Sequence, residues 1–183
     1  MRVLNVGGGE RPALPEHFKG WEQVVLDINA DAKPDILLDA KDLCTLEPST
    51  YDAVLCSHNL EHFYKHDVPI VLKGMLHVLK ETGFAEIVVP DINCLFEAMR
   101  RESLELGDVW YRTAAGVPIT FHDVLYGWNH AMERGNLYYA HKCGFTQHSL
   151  GEALLAAGFK GAHIWTDNKA ILARAFKQEQ PCP

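Results

Sequence analysis

Residues 4–29, "LNVGGGERPALPEHFKGWEQVVLDIN", carry the pattern on which the fold prediction depends. An apolar run ends in the consecutive glycines Gly7, Gly8 and Gly9, and the next apolar run ends at Asp27. Successive glycines let a ligand approach the backbone closely, and an acid at the end of a second strand can accept both hydroxyls of a ribose. The stretch therefore predicts two neighbouring strands with an adenosine-type ligand at their carboxyl ends.

A nicotinamide dinucleotide fits this stretch less well than a ligand without phosphates. The G-x-G-x-x-G fingerprint needs Gly or Ala at position 12, where a helix packs closely under the pyrophosphate, and this chain has Pro12 there. Pro12 and Pro15 leave room for at most a short helix, so the anion site at a helix N-terminus is poorly provided. A nicotinamide-dependent oxidoreductase is the least favoured function class.

The remaining sequence alternates apolar runs with helical patterns, which is typical of an α/β sheet covered by helices on both faces. A helix is predicted after the fourth run, with Asp67 as N-cap and Gly83 just past its end, and another from about residue 93 to 104, capped by Asp91. A third helix is predicted at residues 146–157 with Gly158 as its stop. Strands are predicted at residues 2–6, 23–28, 35–40, 51–57 and 85–90, followed by a closing antiparallel hairpin at 162–166 and 170–176.

Length, composition and charge narrow the class of protein. At 183 residues and 48% hydrophobic, the chain is predicted to form a single domain over residues 1–183. A net charge of −7 gives no general attraction to nucleic acid, and no nucleic-acid partner is expected. The sequence shows no secretory signal pattern and no apolar stretch of membrane-spanning length, so we expect a cytoplasmic protein without a membrane partner.

An aromatic-rich insert is predicted at about residues 103–145. Residues 107–145 hold eight of the eighteen aromatic residues and three histidines, with weak periodicity. An irregular segment after the fifth strand of an open sheet would lie over the carboxyl ends of the strands, where ligands bind. The insert is either a lid over a substrate or a subdomain whose aromatic side chains pack onto the sheet.

Several motifs, taken together and in order, resemble those of class I S-adenosylmethionine-dependent methyltransferases, particularly the methyltransferase type 11 group. They are "LNVGGG", "VVLDI", "LLDA", "YDAVLCSHNLEHF", "VLKETGFAEIVVPD" and "GFTQHSLGEALLAAGF", which cover most of residues 1–102 and resume over 144–176. The resemblance implies a Rossmann-like three-layer sandwich with a mostly parallel seven-stranded sheet and an antiparallel C-terminal hairpin. Asn5 stands where the family usually has an acid in its first motif.

The resemblance also implies S-adenosylmethionine as cofactor and a set of residues that hold it. The glycine turn would line the methionyl moiety, an adjacent acid would reach its amino group, and Asp27 would bind the ribose. Residues after the second and third strands would contact adenine, and the turn after the fourth strand would close the floor near the sulfonium. The set is Gly7, Gly8, Gly9, Glu10, Asp27, Ile28, Asp39, Ala40, Ser57, His58 and Leu60.

A protonated oxygen or nitrogen acceptor also needs a base, and histidine is the side chain best matched to neutral pH. Candidates are His62, in the turn after the fourth strand, and His122. The spacing of His122, His130, His141 and Cys143 matches no familiar zinc pattern, so no metal site is expected.

The leading function is methyl transfer to a small-molecule or sugar-like acceptor, because the short chain leaves no separate module for reading a macromolecule. A catalytically inactive cofactor-binding or interaction protein is the alternative, motivated by Asn5 and the short first crossover. The sequence does not identify the acceptor, the atom methylated or the oligomeric state.

Overall fold

The computed structural model describes residues 1–113, 115–167 and 169–178. Its strands are β1 (Arg2–Val6), β2 (Glu22–Asp27), β3 (Ile36–Leu37), β4 (Tyr51–Ser57), β5 (Leu79–Pro90), β6 (Val109–Arg112), β7 (Pro118–Thr120), β8 (Gly161–Asp167) and β9 (Ala170–Phe176). Its α-helices are α1 (Val68–Val78), α2 (Ile92–Glu102), α3 (Phe121–Tyr126), α4 (Asn129–Met132) and α5 (Gln147–Ala157).

Seven strands form one sheet in the order β3-β2-β1-β4-β5-β9-β8. The five strands β1 to β5 pair in parallel, whereas β9 pairs antiparallel with both β5 and β8. This arrangement confirms the predicted α/β fold, with its mostly parallel seven-stranded sheet and antiparallel C-terminal hairpin. The central strands β1, β4 and β5 are largely buried because their apolar runs are covered on both faces, as the fully buried Leu4, Val54 and Ile87 show.

The connection from β1 to β2 is short, as the prolines predict. Its only helical segment among the described residues is the 3-10 helix Glu16–Phe18, which begins directly after Pro15. Phe18 is buried in a small cluster on one face of the sheet and stacks on Phe84 at a centroid distance of 6.0 Å. A single aromatic side chain thus covers part of the face that a longer helix would otherwise cover.

Helix α1 ends earlier than the sequence predicted. It stops at Val78, and Leu79 already pairs with Tyr51 in the sheet, so the prediction of Gly83 as the helix stop is wrong. The register shifts between the pairs Tyr51–Leu79 and Ala53–Phe84, so residues 80–83 bulge out of β5. Pairing with β4 therefore outweighs the local helical pattern.

The other predicted helix ends agree with the structure to within two residues. Asp91 caps α2 by accepting hydrogen bonds from the N–H groups of Asn93 and Cys94. Thr146 caps α5 in a capping box with Ser149, and Gly158 ends that helix in the left-handed conformation at a φ of 109°.

The topology determines where a ligand can bind. Chain order reverses between the neighbours β1 and β4, and parallel α/β sheets bind ligands in the crevice outside the carboxyl ends of strands at such a point. The segment between α2 and α5 carries the separate hairpin of β6 and β7 and helices α3 and α4, and it returns to the sheet through a bridge between Asp91 and Phe145. None of the helices in the described ranges has the length and apolarity needed to span a bilayer.

Candidate functional site

The glycine turn after β1 is held against the end of β2. Gly7 donates a backbone hydrogen bond of 2.8 Å to the carbonyl of Leu26, and its φ is +71°. The Asp27 carboxylate accepts the N–H groups of Gly9 and Asn29, each at 2.8 Å. Asp27 therefore fixes the turn, and since a carboxylate has about four acceptor positions, it retains capacity for further donors.

Two adjoining cavities, of about 190 and 150 Å³, lie beside this turn. Because they share several lining residues, they are parts of one depression, here called the glycine-turn cleft. The shared residues come from the turns after β1, β2 and β4 and from the segment between α2 and α5, and they are Gly7, Asp27, Ile28, Asn59, His62 and Tyr138.

Most of the predicted cofactor residues lie at this cleft. Gly7, Gly9, Asp27, Ile28, Asp39, Ala40 and His58 line one or both of its cavities. The remaining four, Gly8, Glu10, Ser57 and Leu60, do not line either cavity. Gly8 is buried, Glu10 and Ser57 are exposed, and Leu60 belongs to the main hydrophobic core.

Asn59 is a cleft residue that the sequence reasoning missed. Its side chain lies so close to Gly7 that a Cβ added there would overlap Asn59 Nδ2. Its Oδ1 is buried and accepts no hydrogen bond within the part of the chain that the structure describes. Its position between His58 and Leu60, two predicted cofactor residues, is the feature of the sequence that could have identified it.

A larger cavity of about 580 Å³ lies beyond the cleft, at the ends of β4 and β5. The segment between α2 and α5 supplies much of its wall, including Trp110, Tyr111, Trp128 and Tyr139, and we call it the aromatic cavity. His58, His62 and Tyr139 line both this cavity and the glycine-turn cleft, so the two spaces meet at these residues.

Charged side chains are distributed around the aromatic cavity. The Lys169 ammonium lies 5.3 Å from the ring centroids of both Trp110 and Tyr111, and Arg112 lines the same wall. Burial raises the pKa of the Asp123 carboxyl, but hydrogen bonds from Thr120 and Asn129 outweigh this effect and hold the pKa below its usual value. The cavity therefore offers fixed charges of both signs beside aromatic surfaces.

Glu61, His62 and His141 meet at the floor of the aromatic cavity. One ligand atom from each lies within 4.8 Å of the others. The Glu61 side chain is 2% exposed, and neither carboxylate oxygen has a hydrogen-bond partner in the described ranges. His58 Nδ1 lies 3.5 Å from Glu61 Oε1 without hydrogen-bond geometry.

Backbone hydrogen bonds bring this cluster together. The Glu61 carbonyl accepts the N–H groups of Lys142 at 2.8 Å and Cys143 at 3.2 Å.

Burial lowers the pKa of His141, which favours its neutral imidazole. Burial, together with Glu61, raises the pKa of Cys143 to about 11, so this thiol stays protonated at neutral pH.

The two histidines proposed as bases are in different places. His62 lies at the junction of cleft and cavity, whereas His122 is exposed on α3, packs on Tyr126 at a centroid distance of 4.9 Å and lines none of these cavities. Its chain neighbour Asp123 pairs with Thr120 in a capping box and not with His122. The geometry thus favours His62 over His122 as a site residue.

Comparison with known proteins gives one family and a common fold. The family model described as "Methyltransferase domain" matches residues 1–164. No curated protein matches the chain.

Several solved structures share the fold at low sequence identity. A SAM-dependent methyltransferase from Archaeoglobus fulgidus is 17% identical, with a TM-score of 0.60 over 95% of this chain and 85% of that chain. A SAM-dependent methyltransferase from Methanosarcina mazei is 16% identical, with a TM-score of 0.59 over 97% and 93%. The 1,6-didemethyltoxoflavin-N1-methyltransferase of Burkholderia thailandensis, solved with 1,6-didemethyltoxoflavin and S-adenosylhomocysteine, is 16% identical, with a TM-score of 0.56 over 97% and 71%.

Proposed function

The chain belongs to the methyltransferase-domain family, and on this basis we propose that it transfers a methyl group from S-adenosylmethionine to a small-molecule or sugar-like acceptor in the aromatic cavity. The observation that carries the proposal is the junction of two spaces. The glycine-turn cleft and the aromatic cavity meet at His58, His62 and Tyr139. A cofactor on one side could present its methyl group to an acceptor on the other.

The glycine-turn cleft fits the nucleoside part of S-adenosylmethionine. Asp27 lies at the end of β2 with unused acceptor capacity for ribose hydroxyls, and Ile28, 43% exposed, offers an apolar surface for adenine. Asp39 and Ala40 line the same cleft. The buried Oδ1 of Asn59, which accepts no hydrogen bond from the described residues, would accept an N–H group of the cofactor.

S-adenosylmethionine supplies a methyl group on a sulfonium, which leaves as a neutral thioether, so no covalent enzyme intermediate is needed. The work of the protein is to align the acceptor atom with the methyl carbon and sulfur and to exclude water. Residues at the junction perform this alignment. His62 is the better placed of the two candidate bases, because it faces both spaces.

The wall of the aromatic cavity supports the proposed acceptor class. Its volume of about 580 Å³ suits a small ligand, and Trp110, Trp128 and Tyr139 offer surfaces for a flat ring or the apolar face of a sugar. Arg112 and Lys169 could pair with an acidic group of the acceptor, whereas Asp123 on the same wall could accept hydrogen bonds from its hydroxyls. We propose that residues 103–145 act as a lid on this cavity within a single domain spanning residues 1–183, which we infer to act in the cytoplasm.

Calorimetric titration with S-adenosylmethionine, S-adenosylhomocysteine and nicotinamide dinucleotides tests the cofactor. The proposal predicts binding of the first two alone. A panel of phenols, heteroaromatic compounds and sugars, assayed by S-adenosylhomocysteine release, then tests the acceptor class. Binding of a dinucleotide without the sulfur compounds contradicts the proposal, whereas cofactor binding without turnover on any acceptor favours the inactive alternative.

A further inference from the structure

We propose that Glu61, His62 and His141 bind a divalent transition-metal ion in the wall of the aromatic cavity. One ligand atom from each lies within 4.8 Å of the others, and all three residues line that cavity. Two imidazoles and one carboxylate are the ligands of many zinc and non-haem iron sites, which keep open coordination positions. Metal binding is independent of the proposed function; only the role given to the ion below rests on it.

The burial of Glu61 is the first reason to expect an ion. The Glu61 side chain is 2% exposed, and neither carboxylate oxygen accepts a hydrogen bond from the described residues. Burying a carboxyl group without partners costs several kcal/mol, and buried charges are normally paired or bound to metals. A cation between Glu61 and the histidines would compensate that cost.

The hydrogen bonds of the two histidines are the second reason. His62 Nδ1 lies 3.1 Å from the carbonyl of Ala140, and His141 Nδ1 lies 2.9 Å from the carbonyl of Val124. Because a carbonyl only accepts, each Nδ1 carries its proton, and the neutral ring then has its lone pair on Nε2. Backbone carbonyls that fix the tautomer in this way commonly orient histidines that bind metals.

The backbone holds both ligand segments in register. Residues 60–62 form a 3-10 turn after β4, and the carbonyl of Glu61 accepts the N–H groups of Lys142 and Cys143 from the segment that carries His141. The ligands therefore stand on two segments that are hydrogen-bonded to each other.

The separations are compatible with such an ion after a small contraction. With bonds of about 2.1 Å, the ligand atoms of a tetrahedral zinc site lie about 3.4 Å apart. The three atoms here lie within 4.8 Å of one another, so rotation of the side chains must bring them closer by up to about 1.4 Å. His58, whose Nδ1 is 3.5 Å from Glu61 Oε1, lies outside this three-residue cluster.

His58 itself adopts a backbone conformation that side chains rarely adopt. Its φ is +49°, and its N–H donates to the carbonyl of Val88. Five other described non-glycine residues also have a positive φ, so this conformation shapes the turn after β4 and is not itself a reason to expect an ion.

An ion at this site would act on the acceptor. An open coordination position would face the aromatic cavity, where it could bind a hydroxyl oxygen of the acceptor, lower the pKa of that hydroxyl and release its proton to solvent. The oxygen lone pair would then form the new bond to the methyl carbon as the carbon–sulfur bond breaks and its electron pair stays on sulfur. His62 would serve as a ligand rather than as the base.

The sequence analysis expected no metal because it considered a different set of residues. Of His122, His130, His141 and Cys143, the structure brings only His141 into the cluster. The other ligands are adjacent in the L-E-H turn, about eighty residues earlier in the chain, and the fold alone brings the two segments together.

Zinc titration of the chelator-treated full chain, by calorimetry and by elemental analysis after gel filtration, tests the proposal. We expect about one zinc ion per chain, with affinity at least tenfold weaker in Glu61→Gln and in His141→Asn. His148→Asn is the matched control, because His148 also lies beside a carboxylate, Glu152, at 3.3 Å, but on the exposed surface of α5. Zinc binding that is absent in the wild type, or unchanged in both cluster variants, would overturn the proposal.

Thermal unfolding separates an ion site from a merely structural cluster. Zinc should raise the Tm of the wild type and of His148→Asn but not that of Glu61→Gln. Without metal, Glu61→Gln should be at least as stable as the wild type, because the amide removes a buried carboxylate that accepts no hydrogen bond from the described residues. Equal zinc-induced Tm shifts in the wild type and Glu61→Gln refute the site. Titration with S-adenosylhomocysteine is a separate measurement, so failure of the cofactor proposal is recognised independently.

Discussion

Replacing Asp27 with alanine should weaken S-adenosylhomocysteine binding by about two orders of magnitude. The side chain lies at the end of β2 and lines both cavities of the glycine-turn cleft. It also accepts the N–H groups of Gly9 and Asn29, so its loss affects both the cofactor and the loop that contacts it. The change therefore tests the part of the site on which the cofactor assignment depends.

The magnitude follows from the hydrogen bonds that a carboxylate makes. Each hydrogen bond to a charged acceptor contributes about 1.5–3 kcal/mol, and the two ribose hydroxyls share one side chain, so the contributions are not fully additive. A total loss of about 3 kcal/mol corresponds to a Kd roughly 150-fold higher. Asp27→Asn keeps one carbonyl oxygen as an acceptor, so we expect an intermediate loss.

Isothermal titration with S-adenosylhomocysteine gives the Kd directly, and circular dichroism establishes that each variant is folded. Asp31→Ala is the matched control, because Asp31 is exposed two residues beyond the Asn29 N–H and lines neither cavity. The reasoning is refuted if folded Asp27→Ala binds within about twofold of the wild type, since that corresponds to less than about 0.5 kcal/mol.

Three further predictions concern the turn, the pH dependence of stability and the core. Gly7→Ala should lower both the Tm and the affinity for S-adenosylhomocysteine, because the φ of Gly7 is +71° and the new Cβ would overlap Asn59. Gly20→Ala is the control: its φ is +80°, but an added Cβ would have no neighbour within 4 Å, so this variant should lower the Tm alone. For Asp52, burial raises the pKa, but hydrogen bonds outweigh it and hold the pKa below the ordinary value. This carboxylate therefore stabilises the fold above about pH 4 and loses that effect as pH falls through its folded pKa. Asp52→Asn should lower the free energy of unfolding by about 1 kcal/mol at neutral pH. The resulting difference in Tm from the wild type should become smaller when the measurement is made at about pH 2. Leu72→Ala, at a fully buried position on α1, should lower the free energy of unfolding by about 2–5 kcal/mol in denaturant titrations, and a loss below about 1 kcal/mol would contradict its place in the core.

The fold was predictable where local pattern and tertiary pairing agree. Asp91 and Thr146 predicted helix starts that the structure confirms, and Pro12 and Pro15 predicted the short connection between β1 and β2. The helix end predicted at Gly83 was wrong, because a glycine after a helical pattern marks the end of a helix only where the residues before it do not pair in a sheet. Here Leu79 pairs with Tyr51, and this non-local pairing is not visible in a local window.

The candidate site was predictable only in its parts that follow strand ends. Asp27 and Gly7 lie at the carboxyl ends of β2 and β1, and parallel pairing of two strands places these ends side by side. His141 meets Glu61 and His62 through hydrogen bonds of an irregular segment, and no spacing rule links these residues. Leu60 shows the converse, because its place in a family-like motif suggested ligand contact, whereas the structure buries its side chain fully in the core.

A crystal structure of the protein with S-adenosylhomocysteine tests the central claim most directly. The account predicts that the ribose hydroxyls lie within hydrogen-bond distance of the Asp27 carboxylate, that adenine lies against Ile28, and that the sulfur faces the junction at His58 and His62. A ribose bound elsewhere, or a glycine-turn cleft that stays empty at saturating ligand, would contradict the account.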